Sequence, residues 1–208
     1  MKPQRPRNPR PRKIKLLVVC EGKSTEFTYL DGLCHEQGVQ DRFAPQLRRG
    51  RGGDARVVVR SAINERDRQK HRGEAYEEVW CVLDVEGIEE TARLNEAIAL
   101  ARREHMQLAL SNPSFEVWLI AHFTRTSRQF PNSKAAETYL EQQHWRPVFG
   151  CDYEKGATDL YTRLASRVND AIENARAVLE QHHEGRACKD CNSSTEVYCL
   201  ARKLRGPR

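Results

Sequence analysis

Four short apolar runs, separated by stretches with helical periodicity, constrain the fold of this chain more than any other feature. The runs lie near residues 14–20, 55–61, 78–84 and 106–111. Each is short and rich in valine or leucine, as buried strands are. Because strands that alternate with helices form parallel sheets covered on both faces, we expect an α/β fold with these four strands.

Composition divides the chain of 208 residues into three segments. Residues 1–12 alternate prolines with basic residues, which predicts an extended, disordered basic arm. The strand–helix alternation runs through residues 13–125 and predicts the α/β core. Residues 126–208 are mostly helical by pattern, and they either cover the sheet or form a small lobe. We expect a helical extension packed on the core.

Basic residues are concentrated at the two ends of the chain. Seven lysines and arginines lie within residues 1–15 and four within 202–208, with no acid in either segment. The net charge of +6 therefore hides a mildly acidic body. A basic end on such a body suggests a polyanionic partner, or else a tail that simply improves solubility.

Other features limit the location and the chemistry. No apolar segment approaches the roughly 18 residues needed to cross a bilayer, and no secretory signal is visible, so we expect a cytoplasmic protein without membrane contact. The seven cysteines are expected to be mostly reduced thiols. Cys188 and Cys191 form a CxxC pair without a second pair at suitable spacing, so a zinc site is disfavoured.

Acidic residues follow three of the predicted strands. Glu21 and Glu26 follow the first, Asp84 and Glu86 the third, and Glu116 the fourth. Ligands bind beyond the carboxyl ends of parallel strands, and Mg²⁺ prefers carboxylate oxygens. We therefore expect a metal cleft at this edge, with Glu26 and Glu116 at its rim. The alternative is that these acids are helix caps or solvated loop residues.

The sequence also resembles a known family. The segments VVCEGKSTEFTYL, VWCVLDVEG and LALSNPSFEVWLIAHF are similar to successive blocks of the RloB-like family. YEKGATDLYTRL, AIENARAVL and NSSTEVYCLARKL resemble its C-terminal part. The resemblance covers about residues 14–205, nearly everything except the basic arm.

Membership of this family implies a Toprim-like fold, with a four-stranded parallel sheet flanked by helices. By this resemblance Glu21 takes the place of the first glutamate, and Asp84 with Glu86 takes the place of the acidic pair. Glu26 matches the second acid of nuclease-type Toprim motifs. Asp-Val-Glu stands where Asp-x-Asp is typical; Glu86 can still bind a metal, but its extra methylene moves the carboxylate. The family is associated with restriction loci and anti-phage defence, often beside an ATPase.

The leading hypothesis is a nuclease dependent on Mg²⁺ or Mn²⁺, acting on nucleic acid with RNA or tRNA favoured over DNA. It would serve as an antiviral, abortive-infection effector with an ABC- or AAA-type ATPase partner. The predicted metal ligands are Glu21, Asp84 and Glu86. The predicted catalytic residues are Glu21, Glu26, Glu116 and Lys155.

Two alternatives remain open at this point. The chain is a non-catalytic module that binds a metal, a nucleic acid or an ATPase, or it transfers nucleotides as primases do. Nucleotide transfer is the weaker alternative, because the sequence offers no separate template-binding module. Lys155 can equally be an ordinary surface lysine, and the arginines at 48, 49 and 51 can contact phosphate.

Overall fold

The computed structural model describes residues 12–22, 24–50, 54–85, 91–182 and 186–206. In these residues five strands form one sheet in the order β2-β1-β3-β4-β5. The strands are β1 (Ile14–Cys20), β2 (Phe43–Arg49), β3 (Glu78–Asp84), β4 (Gln107–Asn112) and β5 (Ser194–Thr195). The first four are parallel to one another, and β5 pairs antiparallel with β4. The expected α/β class is confirmed, with a mostly parallel sheet of five strands instead of four.

Ten α-helices surround this sheet within the described residues. They are α1 (Thr25–Cys34), α2 (Gln37–Gln40), α3 (Ala55–His71), α4 (Thr91–Arg103), α5 (Glu116–Ala121), α6 (Ser133–Leu140), α7 (Arg146–Phe149), α8 (Leu160–Leu164), α9 (Val168–His182) and α10 (Val197–Arg205). A π-helical turn, Glu141–Trp145, joins α6 to α7. Short 3₁₀ turns span Ala165–Arg167 and Cys188–Asp190.

The central strands bury side chains on both faces. On one face Leu16 and Val18 pack in a large core with α1, α5, α8, α9 and α10. On the other face Leu17 and Val19 pack against α3 and α4. Burial on both faces explains why β1 reads as a continuous apolar run instead of an alternating one.

The prediction of a strand near residues 55–61 is wrong, because this segment forms the start of α3. The Asp54 side chain caps the helix by accepting a hydrogen bond from the backbone N–H of Arg56 at 2.8 Å. Val58, Val59 and Ala62 form the buried face of the helix. Capping and burial on one face together outweigh the β-propensity of the three valines.

The strand that the sequence analysis missed is β2, at the edge of the sheet. Its residues are largely polar or only partly buried, and Pro45 lies opposite Leu16 in the register. Proline has no backbone N–H to donate, and this is tolerated on an edge strand, which has a neighbouring strand on one side only. A polar run with a proline therefore gives little strand signal, although it pairs along its full length with β1.

The C-terminal region also contributes to the sheet. Thr195 pairs with Ser111 and Ser194 with Asn112, so β5 extends the sheet beyond β4. The division into a core at 13–125 and an extension at 126–208 stays a prediction. Residues 1–11 of the predicted basic arm lie outside the described residues. All seven cysteines are described, and none forms a disulfide.

Candidate functional site

The carboxyl ends of β1, β3 and β4 border a cavity of about 400 Å³. Five of the six residues proposed from sequence line this cavity, and they are Glu21, Glu26, Asp84, Glu116 and Lys155. Glu86, the sixth, lies outside the described residues. The parallel order of the strands explains the convergence, because their carboxyl ends meet at one edge of the sheet. The roles predicted for these residues stay predictions.

Glu21 and Asp84 are joined directly at the ends of two neighbouring strands. The backbone N–H of Glu21 donates to the carbonyl of Val82 at 3.0 Å, which continues the pairing of β1 with β3. In turn, the backbone N–H of Asp84 donates to the Glu21 carboxylate at 3.1 Å. Both acids are half-buried. Their side chains therefore begin from backbone positions that the sheet fixes.

Glu26 lies in the first turn of α1, where an acid is favoured by the helix dipole. It was expected at the rim, yet only 8% of its surface is exposed. Gly22 makes room for it, since a Cβ at position 22 would lie 1.8 Å from a carboxylate oxygen of Glu26. Ser24 occupies the N-cap position of α1, but its side chain makes no capping bond.

The negative field of this region is visible in a neighbouring thiol. Burial raises the pKa of Cys20 well above its usual value, and the Glu26 carboxylate raises it further. Asp84 acts in the same direction more weakly. With a raised pKa and a fully buried side chain, the Cys20 thiol is poorly suited to act as a nucleophile.

Glu116 is held in place by a short hydrogen bond and an ion pair. It begins α5, and the Ser114 hydroxyl donates to its carboxylate at 2.5 Å. The Lys155 ammonium lies 3.2 Å from its other oxygen. Only 5% of the Glu116 side chain is exposed, so these two partners replace water around a buried charge.

Glu137, in α6, is a member of this cluster that the sequence analysis missed. Its carboxylate lies 3.1 Å from Lys155, which therefore bridges two acids. Burial alone would lower the pKa of Lys155, but Glu116 and Glu137 together raise it above its usual value. Partial burial opposes ionisation of Glu137, yet Lys134 and Lys155 lower its pKa. Glu137 stands three residues after Lys134, a spacing that reads as an ordinary surface pair on a helix.

The acids do not form a complete metal site by themselves. Across the parts of the chain that are described, no three His, Cys, Asp or Glu side chains lie close enough to hold one ion. Glu21 and Asp84 are the pair at the strand ends, and Glu86 is not among the residues described. What the geometry provides is a cavity with four carboxylates and one ammonium group.

Comparison with known proteins gives one family. A model of the family described as RloB-like protein matches residues 16–204, nearly the whole chain. The chain therefore belongs to the RloB-like family, as its sequence motifs indicated. No curated protein and no solved structure matches it. In the described residues, none of the helices combines the length and apolar character of a membrane span.

Proposed function

We propose that this RloB-like protein is a metal-dependent nuclease that hydrolyses phosphodiester bonds, with RNA or tRNA favoured over DNA. One observation carries the proposal: Glu21 and Asp84, linked through a backbone hydrogen bond, open into the same cavity as Glu26, Glu116 and Lys155. Several carboxylates around one concave site suit a cation, and one ammonium suits a phosphate.

The donor set fits Mg²⁺ or Mn²⁺ bound through few protein oxygens. Hard divalent ions are commonly held by one or two carboxylates and several waters. Glu21 and Asp84 are half-buried, and both line the cavity. We propose these two as ligands, with Glu86 as a third.

When bound, such an ion polarises the scissile phosphate and lowers the pKa of the attacking water. The protein would supply the remaining functions. Glu21 and Asp84 hold the cation, and Glu26 orients the water and accepts its proton. The water oxygen bonds to phosphorus, the bond from phosphorus to the departing sugar oxygen breaks, and that oxygen takes up a proton.

Lys155 has a separate role in this proposal. It is 45% exposed and fixed between Glu116 and Glu137, so its ammonium stays at the cavity wall. There it contacts the phosphate and offsets the repulsion between substrate and carboxylates. Glu116 and Glu137 are then positioning residues that act through Lys155.

The biological setting proposed is anti-phage defence with a partner ATPase, which rests on membership of the family. A second function is favoured by a specific observation, since no three-ligand metal group occurs among the described side chains. In that case the cleft binds a partner protein such as the ATPase, and no bond is broken.

The deciding experiment incubates the purified protein with total RNA, tRNA and DNA, with Mg²⁺ or Mn²⁺ and with EDTA. Each reaction is run with and without the co-encoded ATPase. Cleavage that requires the metal supports the nuclease. If the protein stays inert toward every substrate, even with the ATPase, the binding module is the better account.

A further inference from the structure

A second groove, of about 430 Å³, lies where the edge strand β2 meets α3. Four arginines line it, two from β2 and two from α3, together with a single carboxylate. The arginines are Arg48, Arg49, Arg60 and Arg68, and the carboxylate is Glu65. Asn64 and Ser61 add neutral hydrogen-bonding groups on the same helix. The proposed nuclease chemistry does not use any of these residues.

The single acid cannot neutralise this groove. Glu65 is only 11% exposed and already pairs with Arg68 and, at 3.8 Å, with Arg48. Arg49 lies over the ring of Phe27, 4.3 Å from its centroid, and has no carboxylate partner in the described part of the chain. Arg60 is exposed and also has no carboxylate partner among the described residues. Two of the four guanidinium groups in the groove thus have no ion-pair partner among the described residues.

The groove adjoins the carboxylate cleft. In the first turn of α3, Ala55 lines the cleft and Val57 lines the groove. Arg49 lies opposite Cys20 in the register, and Cys20 is the residue directly before Glu21. Its ring partner Phe27 follows Glu26 in α1. The groove and the cleft therefore share the start of α3 and lie beside the adjacent ends of β1 and β2.

We infer that this groove binds the phosphodiester backbone of a single nucleic-acid strand and guides it toward the carboxylate cleft. Guanidinium groups bind phosphate oxygens in a planar, two-point geometry, which suits Arg49 and Arg60. The inference rests on the proposed function for the direction of the strand, but binding itself requires no catalysis. RNA and DNA share this backbone chemistry, and the experiment separates them.

The test measures binding of labelled single-stranded RNA and single-stranded DNA to the full chain by fluorescence anisotropy, in EDTA and over a range of salt. We expect the double variant Arg49→Gln/Arg60→Gln to bind at least about tenfold more weakly at low salt. The slope of log affinity against log salt concentration should be shallower by about 1.4, since each phosphate contact on a single strand contributes about 0.7 to that slope. Arg49→Lys/Arg60→Lys keeps the charge and should recover most of the salt dependence.

The matched control is Arg163→Gln/Arg176→Gln, which removes two arginines from α8 and α9, outside the groove. It should bind as the wild type does. The inference is wrong if both double variants lose affinity equally, or if the groove variant binds as well as the wild type. It is also wrong if the wild-type protein binds poly-glutamate but neither nucleic acid. Thermal unfolding of each variant verifies the fold.

One further variant separates this inference from the proposed nuclease. Glu21→Gln should bind RNA or DNA at least as tightly as the wild type in EDTA, because it keeps every arginine of the groove and loses a carboxylate that repels phosphate. Binding through the groove without any cleavage would leave the inference standing and remove the nuclease. If the groove variants bind nucleic acid and cleave it as the wild type does, the nuclease stands and the inference about the groove is wrong.

Discussion

The backbone N–H of Asp84 donates a hydrogen bond to the carboxylate of Glu21 across 3.1 Å, from the end of one strand to the end of the next. This bond helps to orient the Glu21 side chain, and it requires an oxygen acceptor but not a full negative charge. A glutamine at position 21 would keep an oxygen acceptor for the same N–H, yet it would lose the negative charge that attracts a cation. Shape and charge can therefore be separated at this position.

We predict that Glu21→Gln abolishes metal-dependent cleavage and leaves the fold intact. Activity should fall by at least about 100-fold, because the metal contributes several kcal/mol to the transition state. The free energy of unfolding should change by less than about 1 kcal/mol. Nuclease assays and urea denaturation on the same preparation test both parts. The control is Glu173→Gln, an exposed acid of α9, and an active Glu21→Gln protein would exclude a catalytic Glu21.

Gly22→Ala should damage the site more than the fold. The new Cβ would meet the Glu26 carboxylate at 1.8–2.2 Å, so that carboxylate must move. Because the clash involves the end of one side chain, we expect the melting temperature to fall by only a few degrees. Cleavage should fall at least about tenfold, since Glu26 is displaced from the cavity.

The control for this substitution is Gly38→Ala, because a Cβ at position 38 meets no atom within 4 Å. It should leave both stability and activity close to those of the wild type. If Gly22→Ala retains full activity, then the position of the Glu26 carboxylate does not matter to the reaction.

Removal of Lys155 should destabilise the protein through Glu116. Lys155→Met leaves a carboxylate that is 5% exposed without its ammonium partner, although the Ser114 bond remains. We expect a loss of about 1–3 kcal/mol in the free energy of unfolding. Glu116→Gln added to Lys155→Met should recover most of it, because the buried charge is gone. Urea titrations of the two single variants and the double variant measure the coupling.

Lys134→Met is the matched control, since Lys134 also pairs with Glu137 but is 75% exposed. An exposed pair contributes little, so this change should cost less than about 0.5 kcal/mol. A Lys155→Met protein as stable as Lys134→Met would show that the ion pair with Glu116 is not needed for the fold.

The sequence predicted the elements with a strong local pattern. β1, β3 and β4 are buried apolar runs, and they appeared within a residue or two of their predicted bounds. The segment 55–61 was predicted wrongly, because three valines favour a strand until the Asp54 cap and the buried face of α3 are considered. β2 was missed because an edge strand with Pro45 shows no apolar run.

The same reasoning applies to the candidate site. Acids directly after strands could be predicted to converge, since the topology of a parallel sheet brings those positions together. Glu137 could not, because it reaches Lys155 through the tertiary packing of α6, and its local pattern is that of a surface ion pair. Which acids become buried also depends on packing, as Glu26 and Glu116 demonstrate.

The last prediction concerns acid pH and the buried His122. Its Nδ1–H donates to the carbonyl of Trp118 at 2.9 Å, so Nε2 accepts from the Tyr29 hydroxyl at 2.8 Å. Burial excludes the charged form and lowers the pKa of His122 to about 3. In the unfolded chain the pKa is about 6.5, so below that pH the unfolded state binds a proton that the folded state does not. The stability from the neutral ring is therefore complete above about pH 6.5 and falls as the pH drops toward 3.

We expect His122→Gln, which cannot titrate, to unfold with a weaker dependence on pH. Between about pH 7.5 and pH 5, the free energy of unfolding of the wild type should fall by about 2 kcal/mol more than that of the variant. Other titrating groups are common to both proteins, so the difference isolates His122. His35→Gln is the control, because it makes the same substitution at a histidine whose side chain is 66% exposed. Parallel pH profiles for wild type and His122→Gln would mean that the ring accepts a proton in the folded protein, against the bonding found between Trp118 and Tyr29.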